Sequence, residues 1–292
     1  MSRSFLGAQG NRLVASEIGA ATGRPVLLLH GGGQTRHAWA RTARRLAEAG
    51  WHAVALDQRG HGDSAWVPDG GYAFPDFADD AAAVARQIAH ERSERPVAIG
   101  ASLGGIAALL ALEEQGEPPL AGLILVDIVP QMDPRGVDRV QEFMRARAVE
   151  GFASVEEAAD AVAAYLPHRE RPSSLDGLKK NLRLRPDGRW RWHWDPRFLD
   201  GPRSVNTDWA SVEERLLAAA ERLTIPTLLI RGGSSDLVSR EAADAFLSIA
   251  HDAEFVDVAQ ARHMVAGDRN DIFADAILAF MARRIGVERS AA

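Results

Sequence analysis

A short apolar run that turns sharply around a serine constrains the fold of this chain more than any other stretch. Residues 97–105 read Val-Ala-Ile-Gly-Ala-Ser-Leu-Gly-Gly, and the Ile-Ala-Ala-Leu-Leu that follows favours a helix. Gly-x-Ser-x-Gly between a strand and a helix brings chain segments so close that positions 100 and 104 can hardly carry side chains. The sequence therefore predicts a buried strand, a tight turn that exposes Ser102 at the strand tip, and a helix.

Strands and helices alternate through most of the chain. Strand-like runs, most of them apolar without polar alternation, are separated by helical patterns and occur at residues 25–30, 52–57, 97–101, 123–127, 226–232 and 254–258. Such alternation predicts an α/β fold with a mostly parallel, doubly wound sheet whose connecting loops meet at the carboxyl ends of the strands. Residues 4–19 are interpreted as an opening β-hairpin.

The pattern changes between residues 131 and 212. No buried strand is predicted there, and helical segments alternate with proline-rich breaks. Ser154-Val-Glu-Glu157 is a capping box before an alanine-rich helix, and residues 173–184 suggest another helix. We therefore expect a first core part at residues 1–130, an inserted helical cap or lid at 131–212, and a second core part at 213–292.

Composition restricts the class of partner. The 292 residues include 34 Lys plus Arg against 40 Asp plus Glu, and this net charge of -6 disfavours electrostatic binding to nucleic acid or to an anionic membrane. The absence of cysteine excludes disulfides and thiolate chemistry. Neither a signal peptide nor an apolar run of about 18 residues is recognised. We expect a small-molecule substrate and a cytoplasmic location, and the oligomeric state stays open.

Three polar residues at predicted strand ends supply a nucleophile, a base and an acid. Acyl transfer from an ester needs a nucleophile, a base that takes its proton, and a carboxylate that orients the base. Ser102, His263 and Asp236 fill these roles, and Asp127, which also ends a strand, is the alternative acid. The oxyanion is expected to be stabilised by the backbone N–H groups of Leu103, at a helix start, and Gly32.

The motifs together resemble those of the α/β-hydrolase superfamily, in its lid-bearing esterase, lactonase and C–C hydrolase branch. The resemblance rests on His30-Gly-Gly-Gly33, Asp57-x-Arg-Gly-x-Gly-x-Ser64, Gly100-x-Ser-x-Gly104, Asp236 and His263. It implies a serine hydrolase that cleaves a small hydrophobic carboxylic ester or lactone through an acyl-enzyme, without a cofactor. Cleavage of vinylogous diketones, acyl transfer and perhydrolysis remain alternatives. A ligand receptor is less favoured because the triad is intact.

The predicted lid contains an unusual tryptophan cluster. If Trp190-Arg-Trp192-His-Trp194 is extended, its three indoles share one face, where they line a hydrophobic pocket or pack the lid onto the core. Met264 and Val265, beside the predicted base, are expected to face the same pocket.

The other motif residues are interpreted as structural. His30 is expected to hold the loop that carries Gly32, while Asp57, Arg59 and His61 fix a turn beside the site. The remaining histidines lack metal-ligand spacing, so no metal site is expected.

Overall fold

An eight-stranded sheet forms the centre of the molecule. The computed structural model describes residues 1–113, 116–169, 171, 174–268 and 270–286. The sheet contains β1 (Ser2–Leu6), β2 (Arg12–Ile18), β3 (Pro25–Leu29), β4 (His52–Leu56), β5 (Val97–Ala101), β6 (Gly122–Val126), β9 (Thr227–Gly232) and β10 (Ala253–Val258). A separate two-stranded sheet contains β7 (Leu182–Leu184) and β8 (Trp190–Trp192).

The order of the large sheet is β1-β2-β4-β3-β5-β6-β9-β10. Strand β2 pairs antiparallel with β1 and with β4, and every other pairing in this sheet is parallel. The β1–β2 pair is the opening hairpin that the sequence predicts. The α/β class with a mostly parallel sheet is confirmed.

Helices cover both faces of the sheet, and several lie in the segment between β6 and β9. A 3-10 turn at Arg36–Trp39 precedes the first of them. They are α1 (Ala40–Glu48), α2 (Phe74–Arg92), α3 (Leu103–Leu110), α4 (Pro134–Arg145), α5 (Val155–Tyr165), α6 (Asp176–Lys179), α7 (Arg197–Asp200), α8 (Trp209–Glu221), α9 (Arg240–Ile249), α10 (Val265–Asp268) and α11 (Asn270–Arg284).

Two apolar layers hold these helices against the sheet. Because successive strand residues point to opposite faces, Val26 and Leu28 pack with α1 and α11, whereas Leu27 and Leu29 pack with α2 and α3. The second layer continues into Trp192 of the segment between β6 and β9. The strands are therefore buried on both faces, which explains their unalternating apolar sequences.

The segment between β6 and β9 is less helical than the sequence suggests. The helix expected at 173–184 is reduced to α6, and residues 182–184 instead form β7, which pairs with β8 through Leu182 and Trp192. Residue 173 lies outside the described residues. Strands β7 and β8 are separated by residues 185–189 alone, whose Pro-Asp-Gly sequence is typical of a turn, so pairing within this hairpin overrides the leucine spacing. The predicted boundary between the lid and the second core part, after residue 212, falls inside helix α8.

Candidate active site

Ser102 occupies the tight turn between β5 and α3. Its backbone has φ 46° and ψ −116°, a conformation that a residue with a side chain rarely adopts. A Cβ at position 100 would collide with the carbonyl oxygen of Gly104, and one at position 104 with that of Leu29. The close approach that the sequence predicts at these two glycines is therefore present. It leaves Ser102 partly exposed, at the carboxyl end of its strand.

His263 is held by Asp127, which directly follows β6. The distance from His263 Nδ1 to Asp127 Oδ2 is 2.8 Å, and the carboxylate is fully buried. Since the carboxylate accepts, Nδ1 donates, and Nε2 of the neutral ring is left as a proton acceptor. Strands β5 and β6 are neighbours, with Ala101 opposite Val126. The serine and the carboxylate therefore emerge from adjacent strand ends.

The prediction that Asp236 holds the histidine is wrong. Its side chain is 39% exposed and pairs with Arg139 of α4 at 3.1 Å. Asp236 lies four residues beyond the end of β9, and the intervening turn points its carboxylate away from the strand edge. Asp127 instead follows the last residue of β6 directly, so the register of the sheet places its carboxylate next to His263. The alternative acid named from the sequence is the one in contact.

The two predicted oxyanion donors, the backbone N–H groups of Gly32 and Leu103, belong to the loop and the helix start beside Ser102. Within the described residues, no protein acceptor is bonded to the N–H of Gly32 or to that of Leu103. The latter is the first residue of α3, where unpaired N–H groups and the helix dipole favour negative charge. A Cβ on the neighbouring Gly31 would lie 3.5 Å from Ser102 Cβ, so this loop runs alongside the serine.

Two buried histidines fix the peptide planes of this loop. His30 Nδ1 donates to the Gly31 carbonyl at 2.8 Å, and its Nε2 accepts from the Gln58 N–H at 3.1 Å. Gly31 C=O and Gly32 N–H belong to one trans peptide and point in opposite directions. Holding the carbonyl at His30 therefore turns the N–H of Gly32 to the opposite side.

His61 makes the corresponding contact to the next peptide. Its Nε2 accepts from the Gly33 N–H at 3.1 Å, and its Nδ1 donates to the Arg59 carbonyl at 2.9 Å. The Gly33 N–H is therefore occupied, which leaves Gly32 as the open donor of the loop. Sequence reasoning recognised His61 only as part of a structural turn, because a contact between residues 33 and 61 depends on the pairing of β3 with β4.

Both rings are uncharged. Burial lowers the pKa of His30 to about 4 and that of His61 to about 3, with the neighbouring His30 lowering the latter further. Each neutral ring has one donor and one acceptor nitrogen, which the two backbone contacts use completely. Neither histidine is therefore placed to exchange protons with a substrate.

The turn that follows β4 is a charged structural element, as the sequence indicated. Asp57 accepts from the backbone N–H groups of Arg36 at 2.6 Å and Asp63 at 2.9 Å, and also pairs with the Arg36 guanidinium. Arg59 makes two 2.7 Å contacts to Asp80. The charges of Asp57 and Arg59 are therefore paired with charges of neighbouring elements, Arg36 of the 3-10 turn and Asp80 of α2.

Side chains of the segment between β6 and β9 lie against the glycine loop. A Cβ on Gly32 would be 3.2 Å from Phe198 of α7, and one on Gly33 would be 2.9 Å from Met144 of α4. The Phe198 ring also packs edge-on against His61, with centroids 4.9 Å apart. This segment therefore borders the strand edge at which Ser102 lies.

The three predicted pocket tryptophans have different environments. Trp192 and Trp194 are buried in the apolar core, while Trp190 is half-buried beside it. Trp194 packs edge-on against Phe198, one layer behind the glycine loop, and Trp192 packs against Phe152. These contacts favour the interpretation that the indoles pack the segment onto the core.

The two residues that follow His263 differ in burial. Val265 is fully buried in the layer of α1 and α11, so its side chain does not face the Ser102 edge as expected. Met264 is partly exposed, and its carbonyl accepts from Arg169 at 3.3 Å. Of this pair, only Met264 stays a predicted pocket residue.

Two clefts adjoin the segment between β6 and β9. One, of about 420 Å³ and largely apolar, lies on α4 and α5; the other, of about 160 Å³ and largely polar, lies where β7 and β8 meet the core. The first is lined by Arg139, Glu142, Phe143, Ala146, Arg147, Phe152, Ala161, Ala164 and Tyr165. Neither cleft is lined by the three predicted pocket tryptophans.

Among residues 1–113, 116–169, 171, 174–268 and 270–286, no three His, Asp or Glu side chains are grouped to hold a metal ion. In that same part of the chain, no helix has the length and apolar character needed to cross a membrane.

The fold is that of an α/β hydrolase. The family model described as serine aminopeptidase, S33, matches residues 21–270, and the chain belongs to this family of α/β hydrolases. The predicted superfamily is thereby confirmed, and the chain is a hydrolase.

Individual relatives agree with this assignment. An esterase of Mycobacterium tuberculosis is 31% identical over 250 residues, covering 84% of this chain and 78% of the esterase. The solved structure of an α/β hydrolase from Novosphingobium aromaticivorans superimposes with a TM-score of 0.76 at 26% identity, over 95% of this chain and 97% of the other. That of E-2-(acetamidomethylene)succinate hydrolase has a TM-score of 0.80 at 24% identity, over 96% and 98%, and shows the fold.

Proposed function

We propose that the protein is a serine hydrolase of carboxylic esters, with Ser102 as nucleophile, His263 as base and Asp127 as acid. The observation that carries this proposal is the 2.8 Å contact between His263 Nδ1 and the buried Asp127, beside a serine in a positive-φ turn. The similarity to an esterase over 84% of the chain supports an ester as the substrate class. Asp127 replaces Asp236 in the triad because only Asp127 contacts the imidazole.

Attack begins when His263 Nε2 takes the proton of Ser102 and the serine oxygen adds to the ester carbonyl. The resulting imidazolium is stabilised by the Asp127 carboxylate. The N–H groups of Gly32 and Leu103 donate to the tetrahedral oxyanion, a contribution worth about 3 kcal/mol for a single donor.

Collapse of this intermediate completes the first half of the reaction. His263 gives its proton to the leaving alcohol, which departs and leaves an acyl group on Ser102. Water then enters, loses a proton to the same Nε2, and attacks the acyl carbonyl. Breakdown of the second tetrahedral intermediate releases the acid and restores the Ser102 hydroxyl.

The segment at residues 131–212 serves as a lid that selects the substrate. Met144 and Phe198 press on the glycine loop, so bound ester contacts their apolar side chains while it is held at Gly32. A small hydrophobic acyl or alkoxy group matches such a surface. Trp192 and Trp194 act behind these residues as packing, and the partly exposed Met264, next to His263, stays a predicted pocket residue.

Labelling with a fluorophosphonate tests the nucleophile. The wild-type protein should be labelled and should turn over short-chain nitrophenyl esters, whereas Ser102→Ala should do neither. A matched control is Ser239→Ala, which removes the N-cap hydroxyl of α9 and should leave labelling unchanged. Equal labelling of wild type and Ser102→Ala would exclude Ser102.

A substrate series separates ester hydrolysis from the related reactions that use the same triad. Initial rates would be compared for esters of increasing acyl length, for lactones and for vinylogous diketones, with and without an acceptor alcohol. We expect the highest kcat/KM for esters. Preference for a diketone or for the acceptor alcohol would instead assign C–C hydrolysis or acyl transfer.

A further inference from the structure

We propose that Ser235 is a positioning residue of the active site, whose hydroxyl donates to Asp127 and thereby sets how strongly that carboxylate holds His263. Ser235 Oγ lies 2.5 Å from Asp127 Oδ2, the same oxygen that accepts from His263 Nδ1 at 2.8 Å. The inference rests on the proposed function, because it concerns the acid of that triad.

The direction of the Ser235 hydrogen bond follows from its other contacts. Ser235 Oγ accepts from the backbone N–H groups of Leu237 at 3.1 Å and Val238 at 3.2 Å. A hydroxyl has two acceptor lone pairs and one proton. With both lone pairs engaged, the proton is left for Asp127, whose ionised carboxylate can only accept.

The Asp127 carboxylate is a buried anion that neutral groups stabilise. Gly232 N–H donates to Oδ1 at 2.9 Å, while Ser235 and His263 share Oδ2. Within the described part of the chain, no lysine or arginine forms an ion pair with it. Each hydrogen bond to such a carboxylate has a large effect, since water cannot replace a lost donor.

The loop that carries Ser235 is fixed by the lid. Asp236 pairs with Arg139 of α4, and the Leu237 carbonyl accepts from the Asp133 N–H at 2.9 Å. A Cβ on Gly136 of α4 would collide with the Asp236 carbonyl oxygen, so helix and loop are in close contact. Ser235 therefore lies between the lid helix and the catalytic acid.

The other charged groups of this region are paired away from Asp127. The Arg231 guanidinium donates to the Val238 carbonyl at 2.7 Å and pairs with Asp257 at 3.0 Å. Removing the Ser235 hydroxyl therefore changes the field at His263 mainly through Asp127. The carboxylate then loses one of the hydrogen bonds that fix its orientation, so it holds the Nδ1–H of His263 less precisely.

The test compares wild type with Ser235→Ala across pH. We expect kcat/KM to fall about tenfold, with KM nearly unchanged and the acidic limb of the kcat/KM profile displaced. Ser235→Thr, which keeps a hydroxyl, should restore most of the activity. Ser239→Ala, which removes a hydroxyl without contact to Asp127, should keep the wild-type profile.

A spectroscopic measurement separates positioning from folding. The low-field proton resonance of His263 Nδ1–H reports its bond to Asp127, and it should move in Ser235→Ala but not in Ser239→Ala. An unmoved resonance together with a wild-type pH profile overturns the role of Ser235. If Asp127→Asn also retains full activity, the proposed triad itself fails, which distinguishes the two outcomes.

Discussion

The strand edge and the proposed lid are held in place by different kinds of contact. At the edge, Ser102 and Asp127 follow neighbouring parallel strands, so backbone register fixes their separation. In the lid, helices α4 and α5 are held partly by exposed ion pairs such as Arg145–Asp200 and Arg147–Glu157. Surface pairs contribute little to stability, whereas a buried strand cannot shift without breaking its ladder. The proposed chemistry therefore lies on the rigid part, and the proposed selection of substrate lies on the adaptable part.

The lid is not uniformly loose. Its second half is joined to the core by backbone hydrogen bonds, from Gly62 N–H to the His193 carbonyl and from Asp195 N–H to the Gly60 carbonyl, each 2.8 Å. The buried Asp195 also accepts from Tyr72 Oη at 2.7 Å. Changes at α4 and α5 should consequently alter substrate preference more readily than changes near β8.

The largest contrast is expected between the two aspartates that compete for the role of acid. Asp127→Asn should lower kcat by about 10⁴-fold, because the amide favours the wrong imidazole tautomer. Asp236→Asn, which removes only an exposed pair with Arg139, should change kcat less than threefold or so. Steady-state kinetics on a nitrophenyl ester measure both, and a reversed ranking would contradict the assignment.

Substitution of two glycines, one at the strand edge and one in the lid, compares how tightly the two regions are packed. Gly104→Ala should lower the free energy of unfolding by about 3 kcal/mol, because its Cβ meets the Leu29 carbonyl. A Cβ at Gly177 in α6 meets no atom within 4 Å, so Gly177→Ala should raise stability by up to about 1 kcal/mol. Urea unfolding gives both values, and similar losses would show that the lid packs as tightly as the edge.

Acid should destabilise the core through its buried histidines. His30 and His61 have pKa values of about 4 and about 3 in the folded protein, below the ordinary value of 6.5. Below pH 6.5 the unfolded state therefore binds more protons than the folded state. The stability that the neutral rings contribute is complete above pH 6.5 and is lost as the pH falls. At pH 5 each of the two rings lowers the free energy of unfolding by about 2 kcal/mol relative to neutral pH.

Unfolding free energies measured from pH 7.5 to 5 check this dependence. His30→Asn and His61→Gln should each reduce the slope, whereas Ser239→Ala, which removes no titratable group, should leave it unchanged. A slope that survives in both core variants would assign the acid sensitivity to other groups.

The contact from His61 to the glycine loop should be visible in catalysis. His61→Leu removes the acceptor of the Gly33 N–H and should lower kcat about tenfold, a fraction of the loss for a missing oxyanion donor. His52→Leu removes another buried histidine, which contacts the Ala20 carbonyl far from the site, and should affect stability alone. Equal kcat in the two variants would show that His61 has no part in orienting the loop.

The smallest effect is expected at the ion pair between lid and loop. Arg139→Ala removes an exposed contact to Asp236 and should change the free energy of unfolding by less than about 1 kcal/mol. It should nevertheless alter KM for bulky esters, because α4 adjoins the Ser102 edge. A thermal melt and a KM series measure the two effects, and a change in stability without one in KM would place α4 outside substrate selection.

Local sequence patterns were enough for much of the core. Unalternating apolar runs located the parallel strands, and the glycines around Ser102 gave the turn its conformation, because close backbone approach excludes a side chain wherever it occurs. The prediction failed at residues 173–184, because it followed the leucine spacing and not the turn signal Pro186-Asp-Gly188, and part of the stretch forms β7 in a hairpin with β8. Local patterns also placed Val265 in a pocket, although the packing of α11 on the sheet buries it in the core.

The sequence by itself determined that Ser102 and His263 follow strands of a mostly parallel sheet, since the strand period, the turn glycines and the order of the motifs are all local. Only the tertiary structure decided which carboxylate meets His263. Asp127 and Asp236 both follow strands, and no local signal separates them. The choice depends on which carboxylate the sheet register carries to the imidazole and which a surface turn sends outward to Arg139.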